Sequence, residues 1–244
     1  MKNSQLITER RRAPVGELDR LNRALRTTSF FSQAMAHAAT EAALIADVCR
    51  GIVEEGRFKM AWVGYAEDDK NKSVRPVAHA GFEQGYLEKA DITWADTERG
   101  RGPTGSAIRL RQPVACRNIL NDSAFQPWRE EAVKRGYASS LVLPLVDAGR
   151  AFGALSVYAV EPDAFDAVEV RLLAELANDL AFAIRAHRTR NEHQRMEESL
   201  RRSEAELKDA QRIAHVGSWW LDLATHEVRW TEELYRMQGL DPTR

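Results

Sequence analysis

The sequence predicts an α+β fold, an antiparallel sheet with helices on its faces and long helices at both ends. Three observations carry that prediction. Apolar spacing is helical at the start, strand-like in the middle, and helical again after Asp166. The strand-like runs come in neighbouring pairs separated by short polar turns, as antiparallel hairpins require. Hydrophobic residues make up 44% of the 244, enough to bury a sizeable core.

After Pro14, "VGELDRLNRALRTTSFFSQAM" reads as a helix. Its seam of Leu18, Leu21, Leu25, Thr28, Ser32 and Met35 alternates spacings of three and four. Thr40 precedes a second helix with Leu44, Ile45, Val48, Cys49, Ile52 and Val53 on one face and a stop at Gly56. "KMAWVGYAED" and "SVRPVAHAGF" form a hairpin around a charged turn at Asp68 to Asn71. A long polar connection from Asp91 to Gly105 contains Trp94. "TGSAIRLRQ" is a short helix with Thr104 as its cap, and "PVACRNI" a strand. A loop then leads to a helix from about Pro127. "YASSLVLPLVD" and "RAFGALSVYAV" are two strong strands joined at Ala148-Gly149. Asp166 opens a helix whose apolar face is Val170, Leu173, Leu176, Ala177, Leu180 and Ile184.

From His187 to Arg212 the chain is rich in both charge signs and nearly free of Gly, Pro and aromatics. Met196, Leu200, Ser203, Leu207, Ala210 and Ala214 again alternate four and three, as in a two-stranded coiled coil or a solvated helix. The remainder reads as two short strands around Thr225-His226 and a short helix capped by Thr231. It holds Trp219, Trp220 and Trp230, three of the six tryptophans. The expected organisation is a helical dimerisation segment at 1–29, a domain at 30–187, a helical linker at 188–210 and the opening of a further domain at 211–244.

Charge excludes some function classes. The formal net charge of -1 removes the usual electrostatic case for nucleic acid or an anionic membrane. Cys49 and Cys116 are far apart, so neither a disulfide framework nor a structural zinc site is indicated. No run has signal-peptide or membrane-spanning character, and a cytoplasmic location is the default expectation.

"KMAWVGYAEDD", "VRPVAHAGFEQGYLEKADITWADTERGRGPTGSAIRLRQPVACRNI", "FQPWREEAVKRGYASSLVLPL" and "EPDAFDAVEVRLLAELANDLAFAI" together resemble a GAF domain of a bacterial multidomain sensor. "AQRIAHVGSWWLDLATHEVRWTEELYRMQGLDP" is similar to the opening of a PAS domain. The resemblance implies a six-stranded antiparallel sheet with helices on both sides and a pocket between sheet and loops. It implies small-molecule sensing or dimer-based relay rather than catalysis. Output in such proteins comes from a histidine kinase or from GGDEF or EAL domains of cyclic di-GMP signalling, none of which has its signature here.

"GRGPTGSAIRLRQPVAC" has the glycines of a phosphate loop but no Lys before Ser106 and no convincing strand before Gly100. The residues read instead as a turn and helix start, and the GAF resemblance implies that this segment borders the pocket, with the backbone amides of Thr104 to Ala107 expected near any acidic or carbonyl group of a ligand. Phe165 is followed by Glu169 and Val170 without the Asn-Lys pair of cyclic-nucleotide-binding GAF domains. Neither cysteine has the His neighbour of a bilin site. His79 is the one candidate for a haem-type ligand, and a single pocket cysteine lacks the resolving thiol that methionine sulfoxide reduction needs. The candidate pocket residues are therefore Trp62, His79, Trp94, Thr104, Gly105, Ser106, Trp128, Ser139 and Ser140, with one of the two serines facing inward. No catalytic residue, metal site or cofactor is expected. Two readings follow: a homodimeric sensor of an unidentified small molecule, or a ligand-free dimerising spacer.

Overall fold

The computed structural model describes residues 26–241. The chain divides into two compact units, Met1–His187 and Arg188–Arg244. Leu18, Leu21 and Leu25 of the first seam lie outside the described residues.

In the first unit, α1 (26–37) buries Phe31 and Ala34. Helix α2 (Glu41–Glu54) starts where the Thr40 hydroxyl accepts the Ala43 N–H at 3.1 Å, satisfying one of the first-turn donors. Strands β1 (Met60–Ala66) and β2 (Val74–Gly81) form the expected hairpin. Two short helices follow, α3 (Tyr86–Ala90) and α4 (Pro103–Leu110), separated by a loop with one 3-10 turn at Arg99–Arg101. Strand β3 (Val114–Cys116), a 3-10 turn (Ser123–Trp128) and α5 (Arg129–Lys134) lead to β4 (Ser139–Asp147) and β5 (Arg150–Ala159). The β4–β5 turn has positive φ at both central residues, 47° at Ala148 and 77° at Gly149, the twist that suits a two-residue hairpin.

The sheet runs β2-β1-β5-β4-β3, antiparallel throughout. It has five strands among the described residues where the resemblance implied six. The connection after α3 contributes only an isolated bridge between Ser73 and Thr93. Two further expectations shift. Helix α4 begins two residues early: Gly102 is its N-cap and Pro103 its first residue, because proline's fixed φ and missing N–H suit that position. Thr104 is thus inside the helix. The helix expected from Pro127 begins at Arg129, with Pro127 in the preceding 3-10 turn.

Strand alternation splits the core. One face presents Ala61, Val63, Leu141, Leu143, Leu155 and Val157 to α2 and to α6 (Ala167–Ala214). Asp166 caps α6 by accepting the N–H groups of Val168 and Glu169. Leu173, Leu176, Ala177, Leu180 and Ile184 are buried against that face, each larger residue contributing roughly 1.5–3 kcal/mol. The other face carries Met60, Trp62, Val142, Ala154 and Tyr158 beneath α3, α4, α5 and their loops.

In the second unit α6 runs on to Ala214 as an exposed helix, with Met196, Leu200 and Leu207 each about 60% open to solvent. Strands β6 (Trp219–Leu221) and β7 (Val228–Trp230) pair antiparallel, and α7 (Glu232–Met237) follows. Thr231 is the N-cap of α7, though its hydroxyl accepts the Ser218 N–H at 2.9 Å instead of an N–H of the helix. Among the described residues, no helix is long and apolar enough to cross a membrane.

Candidate ligand site

The loop-covered face of the sheet is aromatic. Tyr137 and Tyr158 lie 4.7 Å apart by ring centroid, and both meet the edge of Tyr86 at 5.5 and 5.8 Å. Burial holds all three phenols above their ordinary pKa, so they stay protonated. Over them lies Trp128. Its indole N–H donates to the Ala90 carbonyl at 2.6 Å, its ring edge meets Phe125, and Arg99 sits 5.9 Å from its centroid. The space beneath is small, about 10 Å³, or roughly one water. Tyr86, Ile92, Pro103, Thr104, Gly105, Phe125, Trp128 and Tyr158 wall it, with Arg99 at the mouth.

Four arginines hold the covering loops by capturing backbone carbonyls, Arg99 that of Ala90 at 2.9 Å. Arg109 on α4 donates one guanidinium nitrogen to Trp94, Ala95 and Gly100 at 2.9, 3.0 and 2.6 Å. Buried Arg135 binds the carbonyls of Glu83, Gln84 and Glu131 and the Glu131 carboxylate. That contact and Lys134 pull the Glu131 carboxyl down to about 2. Arg129 ties the carbonyls of Ile119 and Asp122. At Arg129 and Arg135 the planar guanidinium spreads its bonds over separate nitrogens and so ties different segments together. Glycines let the backbone pass closely: a Cβ at Gly105 would lie 2.1 Å from the Gly100 carbonyl oxygen.

Beneath the aromatics the sheet carries three buried polar atoms with no hydrogen-bond partner among the described residues: Trp62 Nε1, Ser140 Oγ and Ser156 Oγ. The Trp62 indole lies beside the Tyr158 phenol on this face. Trp62 stands opposite Ser156 across β1 and β5, and Ser140 stands opposite both Tyr158 and Cys116. An unsatisfied buried polar group costs about 1–3 kcal/mol, so three neighbours on one face are a substantial expense within a total stability of about 5–15 kcal/mol.

The cysteines take opposite faces, Cys49 under α2 and Cys116 on the loop side. Burial pushes each thiol up to about 12; at Cys116 the neighbouring Asp122 adds to it. Among the described residues, no group of three His, Cys, Asp or Glu is placed to hold a metal.

Of the residues singled out in the sequence, Trp128, Thr104 and Gly105 line the small cavity, and Trp62 and Ser140 share the sheet face of Tyr158 without lining it. The others go elsewhere. His79 is exposed on the edge strand β2. Trp94 packs at the hairpin end, its N–H donating to Glu67 at 2.9 Å and Lys72 over its ring. Ser106 donates to the Arg101 carbonyl, and Ser139, on the opposite strand face, to Glu161. Ser156, Tyr86, Arg99, Arg109 and Arg135 were not foreseen. Ser156 was within reach, since it shares the strand face of Tyr158 two residues on. The arginines were not, because their partners are backbone carbonyls.

The second unit has a wider groove of about 850 Å³ along Leu207, Arg212, Trp220 and Arg236. It is open, and its polar walls are largely paired, Lys208 with Glu232 and Arg236 with Glu233. The cavity of the first unit is far smaller and is walled mainly by aromatic and apolar side chains.

Residues 38–185 match the family model described as "GAF domain". The fold is similar to the GAF domain of a phosphoenolpyruvate-protein phosphotransferase from Coxiella burnetii, at 18% identity and TM-score 0.58, covering 69% of this chain and 98% of that one. It is also similar to free methionine-R-sulfoxide reductase from Neisseria meningitidis, at 19% identity and TM-score 0.53, covering 68% and 92%. The GAF domain of an Acinetobacter phosphoenolpyruvate-protein phosphotransferase gives 16% identity and TM-score 0.54, covering 69% and 97%. No curated protein matches the chain.

Proposed function

The chain belongs to the GAF domain family, and from that premise we propose that it is a sensory module in which a small molecule enters beneath Trp128. The observation that carries the proposal is a cavity walled by Tyr86, Phe125, Trp128 and Tyr158, over a sheet face that also buries the polar atoms of Trp62, Ser140 and Ser156. Closed, the cavity takes about one water. A ligand that binds the open form better than the closed one shifts the balance between them, and only that difference in affinity drives a response.

The readout is α6. Its buried turns rest on the far face of the sheet whose Tyr158 walls the cavity, and the same helix continues to Ala214. On this reading a shift in the sheet is passed into α6. The exposed stripe of Met196, Leu200 and Leu207 fits pairing with a second copy, and such a dimer would pass a change in helix register to an output domain. A histidine kinase or a cyclic di-GMP enzyme suits that position, with residues 211–244 as the start of a PAS domain between. We place the protein in the cytoplasm.

A non-catalytic role fits the cysteines. Reduction of a sulfoxide by thiols needs an attacking and a resolving sulfur in contact, and here the sheet separates them.

The small cavity supports a second reading, a dimerising spacer whose pocket is filled by its own side chains. A thermal-shift screen of the intact chain against amino acids, cyclic nucleotides, tetrapyrroles and neutral and acidic aromatics separates the two. Ligand at 100 times its dissociation constant adds about 2.7 kcal/mol. Stabilisation by one class supports sensing; none with any class leaves the spacer.

A further inference from the structure

We infer that the ligand carries a single carboxylate, held by Arg99 at the cavity mouth, on an apolar body that enters beneath Trp128. This rests on the sensory reading above and specifies its ligand class.

Arg99 differs from the other arginines of the covering loops. Arg109, Arg129 and Arg135 each spend their guanidinium on two or more backbone carbonyls. Arg99 makes one hydrogen bond, from Nη2 to the Ala90 carbonyl at 2.9 Å. Among the described residues its Nε and Nη1 have no acceptor, and no carboxylate pairs with it. Neighbouring Arg101 is already paired with Asp96 at 3.0 Å. Of the described residues that wall the cavity, Arg99 is the one charged group, and it is exposed at the mouth. A guanidinium with open N–H groups matches a carboxylate in shape and charge. One uncompensated cation suits a single negative charge.

Thr104 and Gly105 of α4 line the same cavity. Pro103 has no N–H, and the first N–H of α4 with a backbone acceptor is that of Ser106, on Gly102. The backbone donors of Thr104 and Gly105 are therefore open, as at any helix start. Thr104 is 7% exposed, and its hydroxyl has no hydrogen-bond partner among the described residues. The rest of the wall is Tyr86, Ile92, Phe125, Trp128 and Tyr158, which favours an apolar body. That body enters only as Trp128 leaves Ala90, since the closed space holds about one water. Charge and lid meet at Ala90. Its carbonyl accepts both Trp128 Nε1 at 2.6 Å and Arg99 Nη2 at 2.9 Å, and Arg99 lies 5.9 Å from the Trp128 ring centre. A carboxylate that draws Arg99 off Ala90 also removes the cation from beside the lid.

The probes are benzoate, phenylacetate and hexanoate, each set against its amide, which keeps the shape and lacks the charge. The readout is the indole N–H resonance of Trp128 in the intact 15N-labelled chain, assigned from Trp128→Phe. At least one acid is expected to move that resonance upfield, as the bond to Ala90 opens, and to saturate. Its amide is expected to bind at least tenfold more weakly. Arg99→Gln keeps a donor for Ala90 and removes the charge, and is expected to weaken the acid at least tenfold while leaving the amide unchanged. A second measurement needs no variant: the acid's affinity should fall with rising salt and the amide's should not. Equal binding of acid and amide overturns the inference, as does undiminished acid binding in Arg99→Gln or affinity independent of salt. So does an acid that saturates other resonances and leaves that of Trp128 in place. A neutral or cationic compound that raises Tm while none of the acids binds overturns this inference and leaves the sensory reading standing. Failure of every compound in the wider screen removes both.

Discussion

Trp128 lies against the bare Cα of Gly102: a Cβ there would come 2.3 Å from the far edge of the indole. The lid of the cavity and the N-cap of α4 are therefore fitted to each other. Gly102 has φ -65°, which any residue adopts, so the glycine is required by contact rather than by backbone conformation. Gly102→Ala is expected to push Trp128 outward and to destabilise the domain by about 1–3 kcal/mol. Tryptophan emission should shift to longer wavelength in the folded variant. Unchanged emission and stability would show that the lid gives way freely.

The loop between α3 and α4 depends on Arg109. Arg109→Ala leaves three carbonyls without their donor, and hydrogen bonds from a charged donor contribute roughly 1.5–3 kcal/mol. We expect a loss of about 2–4 kcal/mol in denaturant unfolding and rapid proteolysis between Trp94 and Gly102. Arg109→Lys should recover only part, because the lysine nitrogen ends short of the guanidinium nitrogen that makes all three contacts.

Both cysteines should be silent in the native protein. A pKa of about 12 against about 8.5 for a free thiol leaves roughly three orders of magnitude less thiolate at pH 7.5. A thiol reagent added in excess should report no free sulfhydryl until denaturant is present, then two. The linkage has a definite sign. Each folded-state pKa lies above its unfolded value, so this contribution is intact below about 8.5 and is lost as pH rises toward about 12. Stability that increased between pH 9 and 11 would contradict the buried thiols.

The two halves of α6 should answer mutation differently. Leu180 is fully buried against the sheet, and Leu180→Ala is expected to cost about 2–5 kcal/mol. Leu200 is 60% exposed. Leu200→Ala should leave the unfolding free energy of the first unit within about 0.5 kcal/mol while weakening self-association in sedimentation. A chain that stays monomeric at high concentration with and without the substitution would remove helix pairing from the account.

Much of the fold was legible because its signals are local. The period of Trp62 to Tyr65 and of Ser139 to Val146, the Ala148-Gly149 turn and the Asp166 cap each depend on a few adjacent residues. Thr104 misled because threonine is a good cap and the Gly-Pro pair before it was a better helix start. The site was legible only in part. Aromatics in loops pointed to Trp128, yet Trp94 shares that description and packs at the hairpin end instead. Loop tryptophans find whichever apolar wall the chain path brings to them, and that path is set here by arginines bonding to carbonyls 4 to 52 residues away. His79 fell outside because β2 is an edge strand with its outer side in solvent.

The central claim is that the cavity and α6 answer to one event. Hydrogen–deuterium exchange on the intact chain measures this most directly, with and without the compound that raises Tm most in the screen. The account predicts altered protection in two places at once: the covering segments from Tyr86 to Ile108, and the α6 turns from Leu173 to Ile184 and beyond. Protection confined to the covering segments, with α6 unchanged at saturating compound, would contradict it.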